Sequence, residues 1–180
     1  LVIVEGAAGS GKTTMLGVAI EVAAEHSRGA RVVAPTKRAA QVAHDELDVP
    51  ATSVAALVYA HGWRWNADGV WTRLAVGDPD PATGSTYTGP PEHARLSRGE
   101  RVIDQDTSHA LLTVTAEADA TVALVGDRAQ LPAVGRGGVL DMAAQIRGRT
   151  YDMSELHRFT DTEYAALTLR MRDRANPGEV

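Results

Sequence analysis

Leu1-Val2-Ile3-Val4-Glu5-Gly6-Ala7-Ala8-Gly9-Ser10-Gly11-Lys12-Thr13 carries an apolar strand straight into a glycine-rich loop. The spacing is G-x-x-x-x-G-K-[ST], and each fixed position has a mechanical task. Gly6, Gly9 and Gly11 let the backbone fold into a concave nest whose N–H groups face phosphate oxygens. Lys12 reaches the β- and γ-phosphates as a point charge, and the Thr13 hydroxyl ligates Mg²⁺. The apolar stretch from Met15 to Ala24 is expected to be a helix whose positive end faces the same phosphates. A glycine-rich turn alone is a weak signal. Strand, loop, Lys-Thr and helix in that order read as a nucleoside triphosphate site formed by Gly6, Ala7, Ala8, Gly9, Ser10, Gly11, Lys12, Thr13 and Thr14.

The 180 residues, 44% of them hydrophobic, suit one α/β domain with a real core. No apolar run approaches the roughly 18 residues of a membrane span. The chain opens on a core strand, so no signal peptide is expected, and the abrupt start points to a segment of a longer protein. The absence of cysteine excludes disulfides and thiolate metal sites and fits a cytoplasmic setting. With a net charge of −5, any nucleic-acid surface must be a local patch. Lysine occurs only at Lys12 and Lys37, against many arginines. Either these two positions need a compact ammonium, or their placement is chance among so few lysines.

Beyond the first helix, Arg31-Val32-Val33-Ala34 reads as a second strand, and Lys37 to Leu47 has helical spacing. Thr52 or Ser53 is expected to cap a short helix through Ala60. Residues 62–100 are rich in Gly, Pro, Asp and Thr and hold all three tryptophans. Asn66-Ala67-Asp68-Gly69 between Trp63-Arg64-Trp65 and Trp71 predicts a hairpin, because Asp-Gly suits its tight turn. Asp78 to Pro91 is expected to be irregular. A helix over 107–118, a strand over 121–125, a helix over 137–147, a strand near 151–153 and a helix over 161–172 complete the pattern. Strands alternating with helices predict a parallel sheet covered on both faces.

Ligands of such sheets sit at the carboxyl ends of the strands, and three further segments bring polar groups there. Pro35-Thr36-Lys37-Arg38 offers a hydroxyl and two cations that can hold a phosphodiester backbone; a capped helix start with solvated charges is the equal alternative. Gln130, in the turn-rich run 126–138, places an amide able to sense the γ-phosphate. Arg158, after the strand near Met153, offers a charge stabiliser for a transferring phosphoryl group.

The strings GAAGSGKTT (6–14), VVAPTKRAA (32–40), LVGDRAQLPAVGRGG (124–138) and ELHRF (155–159) resemble those of superfamily 1 DNA helicases that move 5′ to 3′. The likeness covers nearly the whole chain. It is strongest to RecD-like motors and to the helicase part of TrwC/TraI-type conjugative relaxases. The resemblance implies a P-loop NTPase with a RecA-like sheet over 1–180, carrying a small β-rich insertion at about 62–100 that helps split the duplex. It implies ATP and Mg²⁺ as ligands and single-stranded DNA as partner, held by Pro35, Thr36, Lys37 and Arg38. It makes Lys12, Gln130 and Arg158 the catalytic groups, and it implies a second RecA-like domain in the same polypeptide. No membrane partner is expected. For the tryptophan hairpin, packing on itself is favoured over stacking on bases.

The sequence departs from such motors at the carboxylate pair. They need an apolar strand ending in Asp-Glu, where the Asp holds Mg²⁺ and the Glu orients water. Arg101-Val102-Ile103-Asp104-Gln105 has a two-residue apolar lead-in, too short for a central strand, and an amide after the Asp. Either Asp104 is a degenerate metal ligand, or the Asp-Glu strand is absent between Val102 and Ile103. The second is preferred, leaving Asp104 and Asp106 to cap the following helix. Two other readings stand beside the helicase: a non-catalytic nucleotide-binding module, and a small-molecule P-loop kinase. The kinase has no use for the GDRAQLP string at 126–132.

Overall fold

A computed structural model describes residues 2–7, 9–98, 101–104, 109–127, 150–153 and 170, with 101–104 known as backbone only. Six strands form one parallel sheet: β1 (Val2–Gly6), β2 (Ala30–Ala34), β3 (Ala51–Ser53), β6 (Arg101–Asp104), β7 (Thr121–Gly126) and β8 (Thr150–Met153). Their order across the sheet is β3-β2-β6-β7-β1-β8. A two-stranded antiparallel ribbon of β4 (Trp63–Trp65) and β5 (Trp71–Arg73) stands outside it. Four helices are described: α1 (Lys12–Glu25), α2 (Lys37–Leu47), α3 (Val54–Ala60) and α4 (His109–Glu117).

The strands alternate, and the alternation divides the core between two faces. Val32 packs with Val4, Leu16 and Val125, against α1 and the inner residues of α2. Its neighbour Val33 points the other way, to Leu57 and Val58 of α3 and to Ala110 and Leu111 of α4. The register Ile3↔Leu124 and Val4↔Val125 keeps β1 and β7 in phase, so the same division continues across the sheet. Helices therefore cover both faces, as the βα alternation in the sequence dictates.

Arg101–Asp104 corrects the expectation drawn from its length. It is a central strand, pairing with β2 through Val32↔Ile103 and with β7 through Ile103↔Ala123. Four residues suffice because both flanking ladders supply hydrogen bonds, so pairing does not rest on the strand's own apolar content. Asp104 ends this strand, and α4 is described from His109; the expected helix start near Thr107 and the cap at Asp106 lie outside the described residues.

The other elements follow local chemistry. Ser53 Oγ accepts from Ala56 N and caps α3, as its position predicts, although Ala51–Ser53 also forms the edge strand β3. The first helix begins at Lys12, earlier than its apolar spacing shows. The expected helices over 137–147 and 161–172 lie outside the described residues. Among the described residues, no helix is long and apolar enough to cross a membrane.

Candidate nucleotide site

The loop between β1 and α1 turns sharply at two glycines, Gly9 and Gly11, each with φ of 83°. That left-handed backbone suits glycine and aims successive N–H groups into one concavity. Gly11 is the N-cap of α1 and has no side chain to satisfy the helix's first amides, and the first turn holds no acidic residue. Those amides and the helix dipole therefore face outward with positive character, as an anion site requires. Gly6 serves a different purpose: a Cβ there would collide with Ser10 Oγ and lie 3.0 Å from Met153 Cβ. The hydroxyl of Ser10 is buried and, among the described residues, has no hydrogen-bond partner, a polar group left inside the loop.

Lys12 is held where the motif needs it. Its ammonium donates to Gly6 O at 2.6 Å and to Ala7 O at 2.8 Å, which ties the cation to the carboxyl end of β1. Thr13 and Thr14 are exposed at the same helix start. The donor set fits a triphosphate with its Mg²⁺: amides without a side-chain cap, one ammonium and a hydroxyl, with no carboxylate in the helix's first turn.

The structure brings a second predicted segment beside this one. Thr13 and Leu16 of α1 line a groove of about 420 Å³ together with Thr36, Arg38 and Val42 of α2. Pro35, Thr36, Lys37 and Arg38 are all exposed, and Thr36 and Arg38 of these line the groove. Thr36 Oγ1 accepts from Ala39 N at 3.1 Å, so its hydroxyl caps α2 while Lys37 and Arg38 extend into solvent. Asp104 ends β6 opposite Leu124 on β7 and Val33 on β2, and through Leu124 it is level with Ile3 of β1 rather than with Gly6 at the loop. Ala8, Gln130 and Arg158 lie outside the described residues. Among the described residues, no cluster of three or more His, Asp or Glu has metal-binding geometry.

Sequence reasoning missed the insertion's anchor. Arg64 is buried and forms a two-pronged pair with Asp80, through Nε to Oδ1 at 3.0 Å and Nη2 to Oδ2 at 2.6 Å. Its guanidinium also lies 3.5 Å from the centre of the Tyr59 ring. No local spacing signals this pair, because its members stand sixteen positions apart with a turn between them. Trp63 packs on the α3/α4 core, whereas Trp65 and Trp71 pair across the ribbon at 4.9 Å and remain 44% and 45% exposed. The hairpin thus packs on itself and still leaves two indole faces open.

The chain matches the family described as AAA domain over residues 1–179. No curated protein matches it significantly. Among solved structures it is similar to the Pif1 helicase from Candida albicans, with 18% identity and a TM-score of 0.59; the match covers 99% of this chain and 42% of that one. The likeness is one of fold, and the chain spans less than half the length of that helicase. With its phosphate loop at the carboxyl end of a central strand and helices on both faces of a parallel sheet, the chain belongs to the AAA domain family of P-loop proteins.

Proposed function

We propose that this chain is the first, ATP-binding RecA-like domain of an ATP-dependent DNA helicase that moves 5′ to 3′ on single-stranded DNA. On this reading it belongs to a RecD-like protein or a conjugative relaxase and carries its small β insertion at about 62–100. The observation that carries the reading is the shared groove: Thr13 of the phosphate loop and Thr36 and Arg38 of the next strand–helix junction line one concavity. A change of nucleotide state at Thr13 is then felt a few residues away, where cations can hold a DNA backbone.

The residues divide the work by their chemistry. The uncapped amides of α1 bind phosphate oxygens, and Lys12 leaves the carbonyls of Gly6 and Ala7 for a charged partner that bonds more strongly. Thr13 and Asp104 would hold Mg²⁺, which neutralises developing phosphate charge when bound. Gln130 senses the γ-phosphate and Arg158 stabilises the transferring group. A second RecA-like domain in the same polypeptide completes the site.

One observation favours a second reading. β6 is the central strand whose end carries Asp104, and the next residue in sequence is Gln105, an amide that is a poor base. A domain of this kind binds nucleotide firmly and hydrolyses it slowly, as a regulatory module does. The full-length protein separates the two readings. The helicase reading expects ATP turnover to rise at least tenfold when single-stranded oligonucleotide is added. Turnover that stays flat as oligonucleotide is titrated sinks it and leaves the regulatory module.

A further inference from the structure

Ser10 is 2% exposed, and among the described residues its hydroxyl has no hydrogen-bond partner. Alanine would sit there without that cost, since a buried hydroxyl loses its hydration and gains nothing in return. Such a group points to a second state of the loop in which it is satisfied. Its surroundings name the partner. Ser10 Oγ lies so close over Gly6 that a Cβ on that glycine would collide with it, and Met153 Cβ of β8 stands 3.0 Å from the same point. Ser10 N meanwhile donates to Ala7 O at 3.2 Å, so the residue is already turned toward the peptide groups that open the loop.

Those peptide groups are the ones that Lys12 holds. Its ammonium donates to Gly6 O at 2.6 Å and to Ala7 O at 2.8 Å. A triphosphate draws the ammonium away, because phosphate oxygens carry a charge that carbonyls lack. Both carbonyls then lose a charged donor, at residues that are themselves buried. Ala7 O keeps the Ser10 amide. Gly6 O is the carbonyl in need, and a rotation about the Ser10 Cα–Cβ bond moves the nearby hydroxyl without moving the backbone.

We infer that Ser10 is a positioning residue for Lys12: its hydroxyl takes over the Gly6 carbonyl when the ammonium turns to the β- and γ-phosphates. Without nucleotide, Lys12 satisfies the carbonyl and the hydroxyl is unpaired. With nucleotide, Lys12 pairs with phosphate and the hydroxyl with Gly6 O. Ser10 therefore raises affinity by easing the release of Lys12, not by touching the nucleotide. This role rests on the ATP reading of the loop and is independent of DNA.

The test combines calorimetric titration with ATP and Mg²⁺ and thermal unfolding of the nucleotide-free protein, on wild type, Ser10→Ala, Lys12→Ala and the double variant. With Lys12 present, Ser10→Ala should keep or raise the thermal midpoint and weaken ATP binding by about five- to twentyfold. Once Lys12 is gone, the hydroxyl serves Gly6 O with or without nucleotide. Adding Ser10→Ala to Lys12→Ala should then change ATP affinity by less than about twofold and lower the midpoint by about 2–4 °C. A hydroxyl bonded directly to phosphate gives the opposite, two affinity losses that add. Additive losses therefore overturn the exchange, and so does a Ser10→Ala protein that binds ATP as wild type does. Lys12→Met, which keeps the side chain's bulk without a donor, repeats the comparison if the alanine double variant does not fold. Unfolding of both double variants while every single variant stays folded is the same non-additivity at its extreme and supports the exchange. No heat of binding in folded wild type removes the ATP reading and this role together; binding in wild type that Ser10→Ala leaves unaltered removes this role alone.

Discussion

Arg64 and Asp80 face each other in a buried, two-pronged ion pair that closes the insertion onto the end of α3. The guanidinium's contact with Asp80, helped by the Ala82 amide, holds that carboxyl well below the usual carboxylate range against the opposing effect of burial. The native carboxyl therefore releases its proton more readily than the unfolded one, whose ordinary value is 3.8. The pair's contribution is complete above that ordinary value and is lost as pH falls toward the native one. Asp80→Asn should lower the thermal midpoint by several degrees at about pH 7, and the gap from wild type should narrow below about pH 4. A gap that stays constant down to about pH 3 would show that the carboxylate charge is not what anchors the insertion.

Gly62 joins α3 to the tryptophan ribbon with a φ of +87°, and a Cβ there would sit 2.9 Å from Leu74 O and 3.0 Å from the Tyr87 ring. Both the backbone region and the space exclude a side chain. Gly62→Ala should cost about 1–3 kcal/mol in denaturant unfolding. Gly69, at φ +74° with open space around it, has only the backbone term, so Gly69→Ala should cost about 1 kcal/mol. Equal losses at the two sites would contradict the packing described for the ribbon's base.

Leu111 is fully buried between Val33 of β2 and Leu57 and Val58 of α3. Truncating it opens a cavity under the sheet's outer half, far in sequence from the phosphate loop. Leu111→Ala should destabilise the chain by about 2–5 kcal/mol in urea. ATP affinity, measured well below the unfolding transition, should be unchanged. A parallel fall in affinity in the folded protein would mean that the two halves of the sheet are coupled.

Asp104 ends β6 in register with Leu124 and Val33, and through Leu124 with Ile3 of β1. If it serves Mg²⁺, Asp104→Asn leaves metal-free ATP binding intact and reduces the Mg²⁺-dependent gain in affinity by about tenfold. An unchanged gain would remove Asp104 from the metal site.

The sequence shows most plainly what local chemistry dictates. Strand and loop from Val2 to Thr13 were legible because phosphate binding needs those residue types at that spacing. The caps at Thr36 and Ser53 and the Asp-Gly turn were legible because each satisfies its own backbone. What stayed hidden depends on partners distant in the chain. Arg101–Asp104 looks too weak for a central strand until β2 and β7 are seen to flank it. Arg64 and Asp80 look like ordinary solvated charges until the insertion folds over them. The groove that joins Thr13 to Thr36 and Arg38 is likewise a product of helix placement, since α1 and α2 present their first turns side by side.

The most direct test is calorimetric titration of the chain with ATP, with and without Mg²⁺, on wild type and Lys12→Ala. The account predicts one site in wild type, bound about 10- to 100-fold more weakly when the Lys12 ammonium is removed, with the fold intact. No heat of binding in folded wild type, or equal affinity in the variant, would contradict it.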